Sequence, residues 1–203
     1  MILSETGQRR VSAAIKSAEV KTSSEIVCVL AHASSDYMSF TTAWAALISL
    51  ISPWLLIVLT TLSVQRIFLT QIVIFVVLFL AFSESTLQRV IIPRAVQRAA
   101  AHRAAMEQFM IRGMARKKNR ASVLIFASLA EHYARIVADD GIASKVDRSV
   151  WQEAIQSLLS HAANGDIAEG FVIAVEKCGQ VLAEHFPPEP EQEDQLADRI
   201  YLI

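Results

Sequence analysis

Residues 40–82 contain a single charged side chain, that of Arg66, in a run dominated by Leu, Ile, Val, Phe and Ala. A soluble core in a chain of this size does not keep so long a run free of Lys, Asp and Glu. A helix that crosses a hydrocarbon layer of about 30 Å needs roughly 20 apolar residues. The run therefore predicts a two-helix transmembrane hairpin at 40–83, with spans at 42–62 and 67–82 and a turn near residues 63–66.

Two features bear on this interpretation. Pro53 falls inside the first span, where it removes one backbone donor and is expected to bend the helix. A secretory signal is excluded because 39 residues of charged sequence precede the run. The remaining alternative is a buried helical pair in a large soluble core.

The charges around the hairpin are asymmetric. Residues 83–120 carry nine Lys or Arg against Glu84 and Glu107, whereas 121–203 carry five basic and fourteen acidic residues. The turn has only Arg66. Because positive residues near membrane ends favour the cytoplasmic side, we expect both ends of the chain in the cytoplasm and the turn outside.

The parts outside the hairpin predict an α/β fold, with a small central sheet flanked by helices. Apolar runs of strand length lie at 25–30, 122–127 and 133–138, the last two as a hairpin; helices are expected at 4–19, 149–164 and 166–184. The predicted organisation is a first part of the α/β domain at 1–39, the membrane hairpin at 40–83, a basic juxtamembrane helix at 84–120, a second part of the domain at 121–186 and an acidic, partly disordered tail at 187–203.

Basic residues recur along the juxtamembrane helix at steps of five, four and five, and are expected to drift slowly around it. They are Arg89, Arg94, Arg98 and Arg103. Such a helix attracts anionic lipid headgroups. Nucleic acid is not an expected partner, because aromatic residues do not interleave with the basic cluster at 116–120 and the second half of the chain is acidic. The alternative is a solvated face that balances the acidic segment.

Carboxylates gather where the third strand ends, at Asp139, Asp140 and Asp147. Carboxylate oxygens are the ligands of Ca²⁺ or Mg²⁺, so these three residues are the candidate metal ligands; the alternative is that Asp139-Asp140-Gly141 is only a turn. Glu131 and His132 are further candidates at the opposite end of the strand hairpin. The histidines lack the spacing of a zinc site, and no motif of a catalytic nucleophile is present, so catalytic and cofactor-binding residues are not predicted.

Several segments together resemble the TPM domain family, in the bacterial branch whose domain is interrupted by membrane helices. The resemblance lies in residues 21–27, in Val123–Glu131, in Ile136–Ile142, in Trp151 and in Phe186-Pro187. It implies a small sheet sandwiched by helices and a bacterial inner (plasma) membrane location. Plant thylakoid members are described as acid phosphatases, and some bacterial members as binders of divalent metal. The Asp-x-Ala-Gly opening of better-studied members is replaced here by Leu3-Ser4-Glu5-Thr6-Gly7.

Two functions are compatible with these features. The first is a membrane-tethered cytoplasmic TPM-like domain that serves as an interaction or accessory module for an unknown protein partner and binds a divalent metal. The second, implied by the resemblance, is a membrane-anchored phosphatase of low efficiency. A transporter or channel is disfavoured because the spans contain no acidic residue or histidine to line a pathway.

Overall fold

The computed structural model describes residues 3–35, 37–83, 92–114, 121–146, 148–188 and 198–203. Within them the strands are β1 (Glu25–Ala31), β2 (Ser122–Ser128), β3 (Tyr133–Ala138) and β4 (Ile200–Leu202). The helices are α1 (Glu5–Glu19), α2 (Met38–Leu59), α3 (Val64–Ser83), α4 (Arg94–Ile111), α5 (Asp140–Ala143), α6 (Arg148–Ala163) and α7 (Ile167–His185). The chain divides into two compact units, one of residues 35–97 and one of residues 1–34 with 98–203.

The second of these units is built on one mixed sheet with the strand order β3-β2-β1-β4. β1 and β2 pair in parallel, with Glu25 opposite Ser122 and Ala31 opposite Ser128. β3 returns antiparallel to β2, which confirms the predicted strand hairpin. The two segments of the split domain therefore form a single sheet, and the predicted α/β fold with a small flanked sheet is confirmed.

Each face of the sheet is covered by helices. Ile26, Cys28 and Ile125 point into a large apolar cluster filled by side chains of α1, α6 and α7, while Val29 and Phe126 point into a smaller cluster with α4. All seven residues of β1 and all seven of β2 are buried. This explains why the interiors of both strands, Ile26–Leu30 and Val123–Ala127, are continuously apolar in sequence rather than alternating.

Helix α1 begins as its sequence predicts. The Ser4 hydroxyl accepts a hydrogen bond from the Gly7 backbone N–H at 3.1 Å and so caps the first turn. α1 packs against α7 at a point where Gly179 faces Ala18. A Cβ added to Gly179 would lie 2.7 Å from the Cβ of Ala18, so this close approach requires a residue without a side chain.

The strand β4 was not predicted. Residues 200–202 fall in the segment 187–203 that the sequence suggested as an acidic tail, but they pair in parallel with Cys28–Leu30. The pairing makes β1 an internal strand over these three residues. A three-residue strand is too short to show a period in sequence, and its neighbour in the sheet is far away along the chain.

In the unit of residues 35–97, α2 and α3 form a helical hairpin, and both are long and apolar enough to cross a membrane. The turn covers Thr60–Ser63, because α3 begins at Val64; it lies three residues earlier than predicted. The buried residues of α2 are small and spaced by four: Thr41, Ala45 and Ser49. Small residues at this spacing let two helices approach closely in a membrane. The Ser49 hydroxyl donates to the carbonyl of Gln71 on α3 at 3.0 Å.

The helix α2 contains Pro53, which cannot donate the backbone hydrogen bond that the Ser49 carbonyl would normally accept. The hydroxyl of Ser52 donates to that carbonyl instead, at 2.8 Å. A hydroxyl that replaces the missing donor is one of the ways in which prolines are tolerated in membrane helices.

Both cysteines lie in the larger apolar cluster as buried free thiols. Burial raises the pKa of the Cys178 thiol to about 12. Burial, with additional contributions from Cys178 and Glu19, also raises the pKa of Cys28 well above its ordinary range. An acid whose pKa is raised stays protonated to higher pH, so neither thiol forms the reactive thiolate near neutral pH.

We expect the folded protein to resist thiol alkylation throughout pH 7 to 9, because both thiols are buried and protonated. Mass spectrometry after treatment with iodoacetamide should show the unmodified mass, and addition of denaturant should add two alkyl groups. Alkylation of the folded chain that increases with pH over this range would contradict the buried position of these thiols.

Replacement of Gly179→Ala should destabilise the contact between α1 and α7 by about 1 to 3 kcal/mol, the usual cost of overpacking a core. Protection of Cys28 and Cys178 from alkylation, followed against urea in detergent, measures the stability of this unit. Glu184→Ala, at an exposed position of α7, serves as the control. The double change Ala18→Gly with Gly179→Ala removes the opposing Cβ and should recover part of the loss; no recovery would show that this contact is not the cause.

Candidate acidic site

Three polar side chains lie in a row across three neighbouring strands, at the end of the sheet where β1 and β2 begin and β3 finishes. Glu25 begins β1 and pairs with Ser122, which begins β2. Asp139 follows β3, and its backbone N–H donates to the Ser122 carbonyl at 3.0 Å. Neighbouring strands are about 5 Å apart, so the two carboxylates flank the serine hydroxyl. Alternation along the strands places all three on the face that α4 covers.

All three side chains of this row are buried. Glu25 is 7% exposed, Ser122 1% and Asp139 8%. Buried carboxylates are costly unless their oxygens are hydrogen-bonded or bind a cation. The row thus places two buried carboxylates on either side of a buried hydroxyl at this end of the sheet.

The two carboxylate oxygens of Asp139 have different surroundings. One carboxylate oxygen, Oδ1, accepts from the backbone N–H of Asp140 at 2.7 Å, and the backbone carbonyl of Asp139 accepts from Ile142 and Ala143, so Asp139 caps the short helix α5. The other oxygen, Oδ2, is buried without a hydrogen-bond partner among the residues that the structure describes. That oxygen has a lone pair available for a donor or a cation.

The structure describes two of the three predicted metal ligands, and these two differ in burial. Asp140 lies in the first turn of α5 and is exposed, whereas the neighbouring Asp139 is buried. Asp147 lies outside the described residues. Within the described part of the chain, no three side chains of His, Cys, Asp or Glu gather as a metal site would require. The structure thus places one predicted residue, Asp139, in the buried row.

The other predicted candidates, Glu131 and His132, lie at the opposite end of the sheet. The Glu131 carboxylate accepts from the backbone N–H of Ser34 at 2.9 Å and from the hydroxyl of Ser128. These bonds tie the end of β1 to the turn between β2 and β3. His132 is exposed and has a positive φ of 47°, a conformation that fits a tight turn. Glu131 therefore has a structural role here.

Sequence reasoning missed Glu25 and Ser122 as site residues. Their signal was present, since each is a polar residue that directly precedes an apolar run in a fully buried strand. This signal becomes a site only once the strand register is known, because the whole helical hairpin of α2 and α3 lies between Glu25 and Asp139 in sequence.

The matching family model is that of the TPM domain, over residues 81–181. The matched region includes α4, β2, β3, α5 and α6, and it contains Ser122 and Asp139 but not Glu25. No curated protein matches the sequence.

The fold is similar to a solved structure, the NMR structure of the BA42 protein from the psychrophilic bacterium Bizionia argentinensis. The TM-score is 0.62 and the sequence identity 19%, and the similarity covers 99% of this chain and 95% of that chain. At this identity the comparison supports the fold alone. The sheet sandwiched by helices and the family match agree: this chain contains a TPM domain, matched over residues 81–181.

Proposed function

We propose that this protein is a membrane-tethered TPM-like domain that acts in the cytoplasm as an interaction or accessory module. The observation that carries the proposal is the outward direction of the large apolar side chains on α2 and α3. Trp54 and Val58 on α2 are 78% and 79% exposed, and Leu69 on α3 is 66% exposed.

Exposure of such side chains to water is unfavourable by about 1.5 to 3 kcal/mol for each residue. A hydrocarbon environment removes that cost. Hydroxyl groups on both helices and at the C-cap of α2 support this environment, because those of Thr42, Thr60, Thr70 and Ser83 each donate to the carbonyl four residues earlier in the chain. A lipid phase offers no water to hydrogen-bond these groups, so internal partners are required there.

The proposed orientation places both ends of the chain in the cytoplasm of a bacterium, with two passes through its inner membrane. Positive charge after the second helix supports it. Arg94, Arg98 and Arg103 are exposed on α4 and available to anionic headgroups, at about 1 kcal/mol for each residue near the surface. Arg89 lies outside the described residues.

These arginines do not form one stripe. A step of five residues rotates a helix by about 140°, so Arg103 lies far around α4 from Arg98, contrary to the slow drift expected from sequence. Headgroup contact therefore involves separate points on the helix rather than one face.

The module is further proposed to bind Ca²⁺ or Mg²⁺ weakly through Asp139. The support is the buried Asp139 Oδ2, which has no hydrogen-bond partner in the described part of the chain, and the neighbouring Glu25 and Ser122 on the same face. Asp140 and Asp147 are the additional proposed ligands. A site with few fixed ligands is expected to have a Kd of about 10⁻⁴ to 10⁻³ M.

For topology, a reporter that is active only outside the cytoplasm should be active when inserted after Leu62, in the turn between α2 and α3. The same reporter should be silent when it is attached at either end of the chain. An insertion after Gly165, in the exposed turn before α7, is the matched internal control and should also be silent. Activity at the ends or after Gly165, with silence after Leu62, would contradict the proposed orientation.

For the metal, calorimetric titration of the detergent-solubilised protein with CaCl₂ or MgCl₂ should give saturable heat that Asp139→Ala with Asp140→Ala abolishes. Asp139→Asn keeps the oxygen that caps α5 but removes the charge, so it should weaken binding while preserving the fold. Glu153→Ala removes an exposed carboxylate elsewhere and should bind as the unmodified protein does. Equal heats in all four proteins would leave Asp139 as a helix cap only.

The same proteins distinguish the module from the phosphatase. We expect no hydrolysis of a generic phosphomonoester above background, with or without the metal. Turnover that disappears in the Asp139 variants would instead favour a membrane-anchored phosphatase of low efficiency.

A further inference from the structure

The backbone groups of β1 on the side away from β2 are protected from other strands in two ways. Near its start, the Glu19 carboxylate accepts a hydrogen bond from the Ile26 backbone N–H at 2.7 Å. Beyond that point β4 covers the edge from Cys28 to Leu30. Two further backbone bonds extend this pairing, from His32 N–H to the Ile203 carbonyl at 2.8 Å and from Ile203 N–H to the Leu30 carbonyl at 3.0 Å. Without β4, an apolar strand would offer these backbone groups to another strand.

The contacts that hold β4 are few and local. Of its three residues only Ile200 is buried, and Leu202 is 37% exposed. Two guanidinium groups stack on the Tyr201 ring, with the Cζ atoms of Arg112 and Arg199 at 3.5 and 4.8 Å from its centroid. Each cation–π contact of this kind contributes about 0.5 to 2 kcal/mol. Release of β4 therefore breaks a small set of interactions and leaves the remainder of the core intact.

We propose that the β1 edge is a strand-exchange site, at which residues 198–203 of a second copy of this chain replace the same residues of the first. The edge already binds this segment, so the segment of a second copy makes identical contacts with Cys28–His32 and Arg112. Exchange therefore costs no contact at the edge. The inference goes beyond the proposed function and does not depend on it.

The connection to β4 favours exchange. Pro187 and Pro188 follow Phe186 directly and are exposed, and Pro190 comes shortly after them in sequence. Proline-rich segments are stiff and extended, and a stiff connection favours capture of the strand by a neighbour over its return to the same chain. The eleven residues 187–197 reach at most about 40 Å when fully extended, so the two copies must lie side by side.

The register provides a direct test, because Cys28 lies opposite Ile200 and both point into the same cluster. The test chain carries Ile200→Cys together with Cys178→Ala, which leaves Cys28 as the intended partner. Two versions with tags of different size are produced together, purified in detergent and treated with a mild oxidant. Non-reducing electrophoresis separates monomers with a disulfide inside one chain from dimers with a disulfide between two chains. Peptide mass spectrometry identifies the joined cysteines.

We expect dimers that contain both tags and are joined between residues 28 and 200, in a fraction that rises about in proportion to protein concentration while dimers are the minor species. Cys28→Ala in the same chain should abolish them; dimers that persist in it come from contact between the two tails and overturn the proposal. The proposal is also overturned if, at every concentration, the disulfide forms only within one chain. It is overturned likewise if no disulfide forms between residues 28 and 200.

The unmodified chain gives an independent answer if the test chain does not fold. Isotope-labelled and unlabelled protein are mixed in detergent and followed by native mass spectrometry. Strand exchange predicts mixed dimers that form over time and are slowed by dilution, whereas monomers alone contradict it. Arg112→Met weakens the contact with Tyr201 in both the closed and the exchanged form, so it should accelerate the formation of mixed dimers without changing their final fraction.

Discussion

The parallel pairing of β1 with β2 is the interaction on which the rest of the structure depends. Parallel strands cannot be joined by a tight turn and need a crossover connection. Here the connection contains α2, α3 and α4, so a hairpin of two long apolar helices is inserted into the crossover of a small sheet. Without that pairing, α1 and β1 would have no sheet to join, and the acidic row at Glu25, Ser122 and Asp139 would not exist.

The two units differ in which side chains they bury. In the sheet unit, large apolar side chains point inward. In the helical hairpin the small residues Thr41, Ala45 and Ser49 point inward and the large apolar ones point outward. Polar groups are satisfied accordingly: backbone groups of the sheet bond to neighbouring strands, whereas hydroxyls on α2 and α3 bond within the hairpin. Even the Ser49 carbonyl, which Pro53 leaves without a backbone donor, is hydrogen-bonded within the hairpin, by the hydroxyl of Ser52.

The sequence predicted the parts of the fold that carry a local signal. β1, β2 and β3 were found from their apolar runs, and the cap at Ser4 from the residue type. The features that were missed depend on distant partners. β4 has three residues and is recognisable only beside β1, and the turn of the helical hairpin was displaced because Val64 extends α3 toward its start. The candidate site was predicted in part for the same reason: Asp139 stood out in its loop, but Glu25 joins it only through the strand register.

The inserted crossover also affects the order in which the protein can be made. β1 leaves the ribosome before residues 32–121, and at 5 to 20 residues per second those residues take about 5 to 20 s to synthesise. During that interval a strand whose seven side chains are all buried in the final structure has no sheet to enter. Glu19, whose carboxylate accepts from Ile26 N–H in the folded structure, is already synthesised at that stage, so an acceptor for this edge is available before β2 exists. The first segment of the chain thus contains an acceptor for the edge of its own strand, available while the long apolar helices are still being synthesised.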